Sequence, residues 1–243
     1  MSDPRSTVTL GTVFRGAGSA YRAHPWAVIG LAVLVFGTSA AFDTLANRAI
    51  RDLVGHGLSD AALTLLVGLL TGPLSFSTAG LVLYAAMLDA VVGHHLHGHE
   101  RAHVWRVLRR LPWARLLAAD VILVAATTVG AALFVVPGVI VFTLFCLVGP
   151  LINIEQIGVA AAFRRSAALV RRRPWPTLLL VAIPTYVEVT LLHGFQFETA
   201  EQPYLVAFVV GAVIGATVGA VVGLLEVTLT YELLRAESGD EAR

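Results

Sequence analysis

The sequence predicts an all-α, polytopic membrane protein. Six transmembrane helices form three helical hairpins, each preceded by a basic amphipathic helix lying in the membrane plane. Three observations predict this: an apolar composition, six apolar segments, and a basic motif ending in Pro-Trp that recurs before every second segment. Hydrophobic residues make up 57% of the 243, charged residues 14%, and mean hydropathy is +0.79. A soluble domain carries about 25% charged residues, so this chain has too little polar surface to cover a water-soluble globule. The same numbers exclude a disordered chain, a disulfide scaffold and a nucleic-acid-binding domain. Cys146 is the single cysteine and cannot form an internal disulfide.

The apolar segments run at about 25–43, 61–92, 113–135, 138–153, 174–192 and 203–233 of a single membrane domain, 1–243. A span needs about 20 residues. The second and sixth are longer and must tilt, kink or protrude, with Pro73 a kink site in the second. The fourth is short and interrupted by Gly149-Pro150, so it is expected to bend or to extend to about Ile157. The third and fourth are joined by Phe134-Val135-Val136-Pro137-Gly138-Val139, which predicts a turn at Pro-Gly with its backbone groups satisfied by protein. Ser39-Ala40-Ala41 resembles a cleavage site. The polar stretch ahead of Pro25 is long for a signal peptide, however, and the first span is read as uncleaved.

All 17 basic residues are arginine, which suggests a GC-rich bacterial coding sequence. Fifteen of them, in the groups before the first span and after the second, fourth and sixth, fall on one side, and only Arg48 and Arg51 fall on the other. The positive-inside rule then places both termini in the cytoplasm of a multi-pass protein of the bacterial inner membrane.

The repeat reads Phe14-Arg15, Arg22, Pro25-Trp26 in the first unit and Phe163-Arg164, Arg171, Pro174-Trp175 in the third. Phe and the second Arg are 8 apart in both, and Phe and Pro are 11 apart in both. The second unit reads Trp105-Arg106, then Pro112-Trp113, with an aromatic-to-Pro spacing of 7, shorter by about one helical turn. Val104, Val107, Leu108 and Leu111 make an apolar stripe that Arg101, Arg106, Arg109 and Arg110 avoid. Such helices lie in the interface with arginines toward anionic headgroups, and Pro turns the chain into the membrane where Trp anchors it. A triplication predicts three hairpins around an axis along the membrane normal.

Pro137-Gly138, the fourth span with Pro150, Glu155, and Ala162-Phe163-Arg164-Arg165-Ser166 with Leu169 form an ordered series. It resembles six-span bacterial membrane proteins, the YciC-like proteins and the membrane domain attached to some glycerophosphoryl diester phosphodiesterases. The layout is similar over most of the chain and the motifs over about 137–175. The resemblance implies a membrane-embedded six-helix bundle. It does not imply the phosphodiesterase reaction, whose carboxylates and histidines belong to a separate soluble domain.

Four constellations are candidates for function. Gly211, Gly215, Gly219 and Gly223 recur every fourth residue, a glycine zipper that admits a close neighbour within the bundle or from a second copy. Asp120, Glu188 and Glu226 stand inside apolar segments, with Asp89 and Glu232 nearer the interface. Buried carboxyls at such depth either bond between helices or mark an ion pathway. His95, His99 and His103, with His94 or Glu100 as a fourth ligand, have helical spacing for a divalent transition metal, although Gly93 and Gly98 weaken a helix there and a tolerated or pH-sensitive loop has the same composition. Glu155 with Arg164 and Arg165 can fix a helix angle or, together with Arg15, Arg106, Arg109 and Arg110, meet headgroups or a partner.

No phosphate loop, nucleophile elbow or zinc-protease motif occurs, and no nucleophile–base pair can be named. The leading expectation is a non-catalytic scaffold, assembly factor or lipid-interacting protein at the cytoplasmic leaflet, without a required cofactor. It would contact anionic lipids, and a protein partner or a second copy. The alternative is a small transporter or channel that uses the intramembrane carboxylates, and a metal-dependent membrane protein comes third.

Overall fold

The computed structural model describes residues 8–54, 80–97, 108–188 and 204–241, and these are almost wholly helical. In chain order the helices are α1 (Leu10–Ala23), α2 (Pro25–Val54), α3 (Leu81–His97), α4 (Trp113–Leu133), α5 (Val135–Phe145), α6 (Val148–Glu155), α7 (Val159–Arg172), α8 (Pro174–Thr177) and α9 (Tyr204–Glu241). A π-helical turn, Leu178–Ala182, continues α8, and helical backbone runs on to residue 188. Pro184 accounts for the widened turn. It cannot donate to the Leu180 carbonyl and its ring would strike it, and the π-turn bonds Ile183 N–H to the Leu178 carbonyl instead.

Four stretches are long and apolar enough to cross a membrane: Pro25–Phe42, Trp113–Gly130, Val136–Glu155 and Phe208–Ser238. Leu81–Gly93 is a shorter apolar helix. Their outward faces carry Ile29, Val33, Leu117, Val121, Ile140 and Val213, all exposed. Such a surface is stable only against hydrocarbon or another protein. The chain is therefore a helical membrane protein.

The repeat is visible in which residues are buried. In α2 the inward stripe is Val28, Leu31, Ala32, Val35 and Phe36, and in α4 it is Leu116, Ala119, Asp120, Leu123 and Val124, with the same intervals. Thr177, Leu180, Val181 and Thr185 repeat four of those five positions. In the amphipathic helices, Val13, Ala17 and Ala20 of α1 match Ala162, Ser166 and Leu169 of α7. The residue ahead of Pro leaves the helix in nearly the same way in both, His24 at φ −139°, ψ 51° and Arg173 at φ −145°, ψ 72°. The middle unit differs by one residue, because Pro112 caps α4 from outside whereas Pro25 and Pro174 open their helices.

Packing follows the repeat cyclically. An inner group of α3, α6 and α9 touches mutually. Outside it, α2 packs on α3 and α9, α4 on α5, α6 and α3, and the π-turn segment on α9 and α5. α2 and α4 thus each touch the helix that follows them in the chain and one inner helix from elsewhere in the chain, α9 and α3 respectively, while the π-turn segment touches α9 and, on its other side, α5. Of the amphipathic helices, α1 rests on α9, and α7 on α5 and α6.

The expected turn at Pro137-Gly138 lies earlier. Phe134 is extended (φ −163°, ψ 151°), and α5 begins at Val135, so Pro137 and Gly138 sit in its first turn. Pro is tolerated there because first-turn amides lack helical partners. Gly138 is needed for a different reason. A side chain on Gly130 would come within 3.0 Å of the Gly138 Cα, so the two glycines let α4 and α5 cross closely. The bend in the fourth segment is present. The helix breaks at Cys146–Leu147, restarts with Pro150 in the first turn of α6, and ends at Glu155, where Gln156 is left-handed (φ 53°).

Gly149 marks the tightest backbone approach, since a Cβ there would meet the Val82 carbonyl of α3, which cannot move aside. Gly149→Ala is expected to lower stability by about 1–3 kcal/mol through overpacking. Gly158→Ala, whose side chain meets nothing, should cost less, only the fraction of a kcal/mol by which Ala is the poorer N-cap of α7. Thermal unfolding of the two variants in the same detergent checks this.

Candidate functional site

Polar side chains gather at several places in the bundle. At the Pro-Trp level, Trp26 (85% exposed) and Trp175 (69%) stand at equivalent positions of their units, and Trp113 (38%) stands one residue out of step with them. Trp113 is more covered because its indole N–H donates to the Leu108 carbonyl at 3.1 Å. Arg15, Arg109, Arg110 and Arg164 are exposed. Arg15 also donates from Nε to the Gly11 carbonyl at 3.3 Å.

Arg165 behaves differently from its neighbour. Its Nε donates to Glu155 at 3.0 Å, and its two terminal nitrogens form a fork on Glu237 of α9, one of them at 3.0 Å. Arg172 adds a second contact to Glu237 at 3.3 Å. The Glu237 hydrogen bond, and behind it Glu155, hold the Arg165 guanidinium above the ordinary arginine range. The cluster ties α6, α7 and α9 together. Ser166, the next residue, donates to the Leu144 carbonyl at 2.7 Å, which fixes α7 on the last turn of α5.

The inner helices meet at a polar junction to which each contributes one side chain. Asp89 of α3 accepts from Tyr231 of α9 on one carboxylate oxygen and from Asn153 of α6 on the other. Gly93, one turn along α3, leaves room for the Tyr231 hydroxyl.

The three carboxyls singled out in the sequence stand apart from this junction. Asp120 Oδ2 accepts the Gly80 N–H at 2.7 Å and so caps α3, which begins inside the bundle. Gly80 has φ +91°, a conformation that favours glycine. Asp120 Oδ1 has no partner among the described residues, nor has Glu188 Oε1, nor either oxygen of Glu226. Glu226 is 0% exposed and lies close enough to Asp120 and Cys146 for electrostatic interaction. The structure does not bring the three carboxyls into one site. Among the described residues no group of three or more His, Cys, Asp or Glu is placed to hold a metal ion.

The glycine face is occupied from within the chain. Gly211 faces Ala40, Gly215 faces Phe36 and Glu188, Gly219 faces the Phe36 ring, and Gly223 faces the Tyr84 ring. Phe36 and Tyr84 pack with ring centroids 5.3 Å apart, and the Tyr84 hydroxyl donates to the Val28 carbonyl at 3.1 Å. His95 lies on the last turn of the α3 backbone, while His99, His103 and Arg106 lie outside the described residues.

Sequence reasoning missed Asn153, Tyr231 and Glu237. Asn153 carried a signal, a lone amide in an apolar run. Tyr231 and Glu237 did not, because their partners are 142 and 72 residues away. No family model, no characterised protein and no solved structure matches the chain.

Tyr231→Phe removes one donor from a buried carboxylate, and a loss of about 1–3 kcal/mol is expected. A double-mutant cycle with Asn153→Leu should show coupling between the two, because both act on Asp89. Independent effects would mean that the junction does not act as a unit. For the ion-pair cluster, Arg165→Glu is expected to destabilise, and Arg165→Glu with Glu237→Arg to recover part of the loss. Tm in detergent reads both.

Proposed function

We propose that this chain is a non-catalytic, six-span protein of the bacterial inner membrane with both termini in the cytoplasm. Its three hairpins would follow the layout of the six-span family that its 137–175 segment resembles. Its basic in-plane helices would seat it on anionic lipids of the cytoplasmic leaflet, where it acts as a scaffold or assembly partner. The observation that carries this reading is the repeated unit of amphipathic helix, exposed arginine and exposed Trp, with Arg15 and Arg164 at equivalent positions beside Trp26 and Trp175. A Trp at the headgroup level and an arginine outside it is the arrangement that an anionic leaflet stabilises, by about 1 kcal/mol per arginine. Arg165 is not counted in that surface, because its donors are spent on Glu155 and Glu237.

A second reading, a small transporter or channel, is favoured by two observations. Two inner helices begin within the bundle, at Leu81 and Val148, as the discontinuous helices of transporters do. Glu226 is buried with both oxygens unpartnered among the described residues, and a carboxyl so placed needs compensation that the side chains around it do not supply.

One experiment separates the readings. Arg15→Glu, Arg110→Glu and Arg164→Glu together place a reversed charge in α1, in the turn before α4 and in α7 without touching the ion-pair cluster. Native mass spectrometry of protein released from nanodiscs containing phosphatidylglycerol is expected to show several-fold less retained anionic lipid in the triple variant. Unchanged retention would overturn the lipid-seating reading. A proteoliposome flux that Glu226→Gln abolishes, with folding intact, would establish the second.

A further inference from the structure

Residues 14–26 and 163–175 align at a constant offset, so α7 can be compared with α1 position by position. Arg164 and Arg171 match Arg15 and Arg22, and all four are exposed. Arg165 and Arg172 match Gly16 and Ala23 instead. This extra pair, about two helical turns apart, converges on one carboxylate, Glu237 of α9. Arg165 grips it with both terminal nitrogens, and Arg172 adds Nη1 at 3.3 Å.

The attachment of α7 does not account for the pair. α7 packs on α5 and α6, buries Ala162, Leu169 and Val170, and bonds the Leu144 carbonyl through Ser166. α1 rests on α9 with no arginine at the matching positions. The Arg172 side chain is 64% exposed, and an ion pair so open to solvent adds little to stability. What the two guanidinium groups do form is a cradle for an oxyanion. The donors that fit a carboxylate fit a phosphate equally well, and a phosphate offers them more oxygens. Arg172 is three residues from Trp175, the exposed Trp that marks the headgroup level in the reading proposed above.

We propose that Arg165 and Arg172 form a binding site for a phosphate group, and that Glu237 is its built-in occupant, so that the end of α9 and the phosphate compete for the same donors. The inference rests on the lipid-seating reading and adds a masked site to it. A lipid headgroup and a free phosphate share the chemistry, and the level of Trp175 favours the headgroup.

The test uses the full chain in nanodiscs of phosphatidylcholine with a minority of phosphatidylglycerol. Native mass spectrometry counts the phosphatidylglycerol retained. Glu237→Ala is expected to retain about fivefold more than the parent, the effect of one freed arginine at a charged surface. Adding Arg172→Ala should return retention to about the parent level. Adding Arg171→Ala instead removes the same charge from the next residue and should keep most of the gain. Equal loss in the two double variants means diffuse charge attraction and overturns the site. In discs of phosphatidylcholine alone, inorganic phosphate is compared with chloride at equal ionic strength. A higher Tm of Glu237→Ala in phosphate, with no gain in phosphatidylglycerol, would assign the site to free phosphate. Neither a gain in lipid nor a rise in Tm means a structural ion pair and overturns the proposal. Glu237→Gln removes the charge and keeps an acceptor for Arg165, and it decides where Glu237→Ala does not fold. The triple variant that tests the lipid-seating reading leaves Arg165, Arg172 and Glu237 intact, so the two failures are told apart.

Discussion

The amide of Gly80 must find an acceptor inside an apolar bundle, and it finds Asp120 Oδ2 at 2.7 Å. Much of the fold depends on that requirement. Backbone groups that cannot reach water cost several kcal/mol each when unsatisfied, and a helix that starts within a membrane exposes its first four amides. The carboxylate on α4 fixes the depth at which α3 begins, and with it the depth of Asp89 about two turns further on. Asp89 in turn sets where Asn153 and Tyr231 must stand, and so aligns α6 and α9 against α3. Gly149 against Val82 then closes the contact to a distance that only a missing side chain permits.

The cyclic repeat makes the departures from it informative. Where Ala32 and Val181 fill their positions with small apolar groups, α4 has Asp120, and beside it stands the one inner helix that starts at a left-handed glycine. Where α1 has Gly16, pressed against Thr228 of α9, the matching position of α7 has Arg165, reaching Glu237 of the same α9. One amphipathic helix is joined to α9 by close contact and the other by an ion pair. The exposed neighbours Arg15 and Arg164 keep the same role in both. Symmetry is thus retained on the surface that would meet lipid and broken where the helices meet each other.

Much of the architecture was legible because it rests on local chemistry. Apolar length marks the helices, Pro-Trp after a basic stripe marks where they turn, and Gly149-Pro150 marks the broken inner helix. The turn assigned to Pro137-Gly138 was misplaced by a few residues because a first-turn proline and a turn proline look alike in sequence, and only the crossing of Gly130 over Gly138 separates them. The site was less legible. Arg164 and Arg165 are adjacent and chemically identical, yet one is exposed and the other is held by two carboxylates. The difference is which side of α7 faces α9, and that is a tertiary fact. Asp89 shows the same limit. It could be recognised as a carboxyl near the interface, but the two groups that make it a junction come from other units of the repeat.

The junction also bears on how three similar units avoid packing interchangeably. Apolar inner helices of similar shape could slide or exchange places at little cost, because small changes in dispersion contacts distinguish few alternatives. An Asp that needs donors on both oxygens, a Tyr on one neighbour and an Asn on the other accept one arrangement. A single buried polar residue fixes register in coiled coils by the same means, at a cost in stability. In this chain the acceptor, the amide and the hydroxyl are divided among α3, α6 and α9, so no helix satisfies the junction alone and none can be replaced by another. The apolar faces supply the attraction that brings the units together, and the Asp89 junction determines which unit stands where.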